Sequence, residues 1–113
     1  MRTFQFANQE VRVRATPLAL LYYKQEFRSD LVADMIILET FREDMSNFDS
    51  VLFLQLVWAM AKADAFGQPF PPFIEWLGQL EAVDFTDVQF LIGVLEEAAD
   101  GFFRKAAGKQ QQQ

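Results

Sequence analysis

Carboxylates are the only abundant groups in this chain able to do acid–base or metal chemistry, because histidine and cysteine are both absent. That absence removes thiol nucleophiles, disulfides, imidazole bases and every zinc site built on Cys or His. It also removes the Glu-x-x-His pattern of di-iron bundles. The carboxylates gather in two places, Glu39, Glu43 and Asp44, then Glu96, Glu97 and Asp100. A catalytic or metal-binding pair brings carboxylates from different elements into one cleft. Each cluster here lies on one stretch of chain, so both read as solvated helix faces. Glu96 and Asp100 are four residues apart and repel mildly. Ser29, Ser46 and Ser50 have no base to activate them, and each sits where a helix should begin, so capping accounts for them. The glycines stand singly, with no phosphate loop among them. The expectation is a non-enzymatic chain with no catalytic residue, no cofactor and no metal.

Aromatic residues carry more information. There are 13 Phe beside two Trp and two Tyr, a surplus that has to be buried or used. Phe53, Trp58 and Phe90 fall in apolar stripes and read as core. Phe66, Phe70, Phe73, Phe102 and Phe103 crowd a loop and the last helical turn. Phe102 and Phe103 are adjacent, so on a helix both cannot face one core. These five read either as structure or as a partner-binding surface, since exposed apolar patches mark binding sites.

The elements that must position these side chains follow from periodicity and punctuation. Thr3 to Phe6 and Val11 to Arg14 alternate apolar and polar residues and predict two short strands. Ala7 to Glu10, with Asn8 near its centre, supplies the turn of a hairpin. A two-stranded hairpin is marginal alone, so its apolar face must rest on something else. Thr16-Pro17 opens a helix, with the threonine as cap and the proline at the first helical position. Leu20, Tyr23, Phe27 and Leu31 share one face. Ser29-Asp30 either caps a second helix or marks a bend through which the first continues. Leu31 to Phe41 carries the stripe Leu31, Met35 and Leu38, and Ser46-Asn47 is the expected break.

Asp49 or Ser50 caps the next helix. From Val51 to Ala61 only Gln55 is polar, so this helix should be central, emerging into solvent at Lys62 and Asp64. Gly67 to Pro72 is the one true loop, with three prolines. A short helix follows over Phe73 to Leu80. Thr86-Asp87-Val88-Gln89 reads as a capping box, with the hydroxyl as cap. The last helix buries Leu91, Val94, Leu95, Ala98 and Phe102, and places Arg104 and Lys105 at its negative end. The prediction is a mainly α fold: one small domain over residues 1–105, about five helices with a short N-terminal β-hairpin. Residues 106–113 are expected to form a disordered polar tail.

A chain of 113 residues is one domain's worth, and 51% hydrophobic residues are enough for a core. The net charge of −6, with thinly spread Lys and Arg, argues against nucleic acid as a partner. No segment is long and apolar enough for a membrane span, and the N-terminus has no apolar signal core. A cytoplasmic protein is expected.

The order of several segments resembles a known family. Thr16-Pro17 opens a helix and is followed by Leu20-Leu21-Tyr22-Tyr23-Lys24-Gln25-Glu26-Phe27, then Asp30-Leu31. Leu56-Val57-Trp58-Ala59-Met60-Ala61-Lys62 comes next, then Pro72-Phe73-Ile74-Glu75-Trp76-Leu77. The chain closes on Glu96-Glu97-Ala98-Ala99-Asp100-Gly101-Phe102-Phe103-Arg104. This combination resembles the short tail assembly chaperones of long-tailed phages (siphophages) and prophages of Gram-positive bacteria. The resemblance runs from the hairpin to Arg104. Where the family often has Gly after the first block, this chain has Arg28-Ser29.

The resemblance implies a protein that coats the tape-measure protein and keeps it soluble until the tail tube polymerises around it. It implies action in the cytoplasm of the infected bacterial host and absence from the mature virion. The partners it implies are the tape-measure protein, a longer frameshifted form of the chain, further copies forming a homo-oligomer, and the tail tube protein that displaces it. A structural tail component or a host-regulatory interaction module is the alternative.

Overall fold

The computed structural model describes residues 1–6, 9–40, 43, 44, 46 and 48–103. Strand β1 (Arg2–Phe6) pairs antiparallel with β2 (Gln9–Val13), with Phe4 opposite Val11 and Phe6 opposite Gln9. Alternation sets the two faces. Phe4, Phe6, Val11 and Val13 turn inward, while Thr3, Gln5, Glu10 and Arg12 are exposed. Ala7 and Asn8 of the expected turn lie outside the described residues. The hairpin is not left to itself: Arg14 donates its N–H to the carbonyl of Met60 at 3.0 Å. The ring of Phe90 meets both Phe4 and Phe6 edge-on.

Five helices follow among the described residues: α1 (Pro17–Phe27), α2 (Leu31–Glu39), α3 (Ser50–Asp64), α4 (Phe73–Gln79) and α5 (Val88–Phe102). This is the mainly α domain with an N-terminal hairpin that the periodicity predicts. α1 and α2 are separate helices. Arg28 takes φ 56°, the left-handed conformation that glycine adopts most easily, and its N–H closes on the Lys24 carbonyl. The Asp30 carboxylate then caps α2 by accepting from Val32 N–H at 2.9 Å.

The expected hydroxyl caps are corrected. Thr16 stands at the cap position of α1, but its hydroxyl makes no cap bond, because its own backbone carbonyl already takes the Ala19 N–H. Asp87, not Thr86, caps α5 by accepting from Phe90 N–H at 3.1 Å. The Thr86 hydroxyl donates instead to Asp84. Serine hydroxyls cap nothing here: Ser29 donates to Asp34, Ser46 donates to Asp44, and Asp49 caps α3 ahead of Ser50. The expected break at Ser46-Asn47 and the positions of Phe41, Arg104, Lys105 and residues 106–113 lie wholly or partly outside the described residues.

α3 is the central helix, with Leu56 to Ala61 buried consecutively. It does not emerge into solvent at Lys62 and Asp64, which are both half-buried. The Lys62 ammonium lies 4.6 Å from the Tyr22 ring centroid and 5.2 Å from that of Trp58. Asp64 accepts from Arg14 and pairs with Arg12. Around α3 runs a continuous aromatic seam. It passes from Tyr23 through Phe27, Phe73, Trp76, Phe6, Phe90 and Phe53 to Phe85, by contacts of 4.8 to 6.4 Å between ring centroids. Most of these contacts are edge-to-face, the arrangement the ring quadrupole favours. The seam absorbs much of the phenylalanine surplus.

Candidate functional site

The two carboxylate clusters meet different fates. Glu96, Glu97 and Asp100 do not form a merely solvated face. Arg2 reaches Glu96 at 3.3 Å, Glu97 at 3.6 Å and Asp100 at 3.9 Å, and the amino group of Met1 lies 3.3 Å from Glu97. Glu97 also accepts from the Ala15 N–H. The cluster therefore clamps the start of the chain onto α5. Of the other cluster, Asp44 is exposed, and two bonds from Ser46 hold its carboxyl below the usual range. Among the described residues no group of three acidic side chains is placed to hold a metal ion.

A third carboxylate is turned inward. Asp34 accepts from the Tyr23 hydroxyl at 2.7 Å and from the Ser29 hydroxyl at 2.9 Å, and Gln55 completes the network. Burial, then the bond to Asp34 and its charge, push the Tyr23 phenol well above its ordinary range. The network joins α1, α2 and α3.

The five phenylalanines singled out by sequence do not form one patch. Phe73 is buried and packs on Phe27 and Trp58. Phe70 is half-buried against Trp58. Phe102 is half-buried against the core, and its neighbour Phe103 is 41% exposed. Phe66 is 68% exposed at the end of α3. The structure thus brings Phe70 and Phe73 together around Trp58. Phe66 and Phe103 make no ring contact with them among the described residues.

An apolar surface that sequence reasoning missed lies on α2. This helix reads Leu-Val-Ala-Asp-Met-Ile-Ile-Leu-Glu. Leu31, Met35 and Leu38 face the core, and Asp34 is drawn inward to Tyr23. Ala33, Ile36 and Ile37 are left outward, with Ile36 61% and Ile37 53% exposed. An apolar helix face normally meets a neighbour; among the described residues nothing covers Ile36 and Ile37. The signal in the sequence was the run Met35 to Leu38: four consecutive apolar residues go around a helix and cannot all meet one core. A shallow depression of about 320 Å³ beside Ile36 is rimmed by Glu39 and Glu43. No family model, no curated protein and no solved structure matches the chain.

Proposed function

We propose that this chain is a phage tail assembly chaperone that binds the tape-measure protein and keeps it soluble before the tail tube polymerises. The single observation that carries the reading is the outer face of α2, where Ile36 and Ile37 stay exposed among the described residues. The segment order that resembles the chaperone family supports it from the sequence side.

The physics suits transient binding. A long helical ligand with apolar stripes can lay one stripe against Ile36 and Ile37, the helix-in-groove mode. Covering those two half-exposed side chains contributes on the order of 1 kcal/mol each. That is too little for one tight complex. Many copies along one ligand gain by effective concentration and still release one by one. The net charge of −6 and the glutamates beside Ile36 keep such a coat dispersed.

Fractionating infected cells tests this role. The chain should accompany the tape-measure protein in tail intermediates and be missing from purified tails. Its presence in finished tails would make it a structural component instead. Its absence from both would favour a host-regulatory module.

A further inference from the structure

Between β1 and the loop that leads into α5 lies a cleft of about 420 Å³. Phe6, Phe90, Ala82 and Val83 supply its apolar lining, and Gln5, Asp84 and Asp87 its polar one. One wall is a strand edge. β1 is bonded to β2 alone in a two-stranded sheet, and alternate residues of such a strand direct N–H and C=O away from the partner. Among the described residues none of these outward groups takes a backbone partner outside the hairpin. Ala82 and Val83, on the opposite wall, also make no backbone–backbone bond with another described residue. The edge lacks two of the usual protections, a proline and a lysine. Its one cation, Arg2, is drawn to α5.

We infer that this cleft receives an extended segment of a partner protein, added as a third strand to β1, in which an apolar residue is flanked by Lys or Arg. The main chain of the segment would satisfy the strand edge, and its apolar side chain would fill the space against Phe6 and Phe90. Its cations would meet Asp84 and Asp87, the only charged groups among the described residues lining the cleft. Both carboxylates are held in place, Asp84 by Thr86 and Asp87 by the Phe90 N–H, and each keeps acceptor capacity for a cation. The chain's own valine–arginine stretch is already engaged, Val11 to Val13 with β1 and both arginines with Asp64, and the net charge of −6 disfavours a second copy as the occupant. The site is separate from the α2 face and does not rest on the chaperone reading.

The test uses the full chain, isotope-labelled for NMR, and a capped hexapeptide of alternating valine and lysine. Amide shifts are expected in β1 and in residues 82–87, with slowed exchange along β1. Methylating the edge-facing peptide nitrogens, which keeps charge and side chains, should weaken binding at least tenfold. Asp84→Asn with Asp87→Asn, which retains the cap oxygen, should weaken it roughly threefold or more. A valine–glutamate hexapeptide should not bind. The inference is overturned by equal binding of the glutamate peptide, by tolerance of N-methylation, or by shifts on α2 instead. It is equally overturned by no response to millimolar peptide. Concentration-dependent β1 shifts without peptide would give the edge to a second copy and also overturn it.

Discussion

Tyr23 is fully buried, and its single hydroxyl proton lies between Asp34 at 2.7 Å and Gln55 at 3.0 Å. The charged and nearer acceptor takes the larger share. Tyr23→Phe keeps the ring in the aromatic seam but leaves the Asp34 carboxylate with Ser29 as its remaining hydroxyl donor. It should lower unfolding stability by about 2 kcal/mol in a denaturant titration. Asp84 offers a residue-scale test of a different kind. Thr86 bonds to it through hydroxyl and N–H, holding its pKa below the ordinary 3.8. A depressed carboxylate stabilises the fold above its unfolded pKa, and that contribution is lost as pH falls through the folded value. Thr86→Val removes the hydroxyl bond, so the Asp84 carboxyl signal should titrate at higher pH than in the parent.

The elements were legible wherever periodicity was local. Alternation at Phe4, Phe6, Val11 and Val13 marked the hairpin, and the unbroken apolar run marked α3. Cap identity was less legible, because hydroxyl and carboxylate residues sit side by side at Ser29-Asp30, Asp49-Ser50 and Thr86-Asp87. In all three the carboxylate takes the cap, the choice a helix N-terminus favours electrostatically. At Thr16 there is no carboxylate, and the hydroxyl oxygen is buried with no hydrogen-bond partner among the described residues. Thr16→Val should therefore be neutral or stabilising by up to about 1 kcal/mol. Asp49→Ala, which removes a working cap, should cost about 1 kcal/mol. Thermal melts of the two variants should move apart. Close approach was not legible at all. A Cβ at Gly101 would lie 2.2 Å from the Ala15 carbonyl oxygen, a contact made between segments more than 80 residues apart.

At the scale of the whole molecule, composition exposed the phenylalanine surplus but not its destination. Phe73 entered the seam, whereas Phe66 and Phe103 stayed outside. A sequence pattern gives each helix a face; it does not say how many neighbours the fold provides. That is why α2, apolar on its outer as well as its inner face, was read only by its inner stripe of Leu31, Met35 and Leu38. Its outer face is the surface on which the proposed role depends. Ile36→Asn with Ile37→Asn should leave the melting temperature within a few degrees of the parent, because both side chains already face solvent.

Coexpression with the tape-measure protein from the same genome asks whether this chain keeps that protein in solution, with tape-measure solubility as the readout. The parent chain should yield a soluble complex holding many copies per tape measure. The Ile36→Asn, Ile37→Asn variant should leave the tape measure in the pellet while itself remaining folded. A tape measure that stays insoluble beside the folded parent chain would rule out the chaperone role, and one that the variant solubilises equally well would rule out the α2 face as its binding surface.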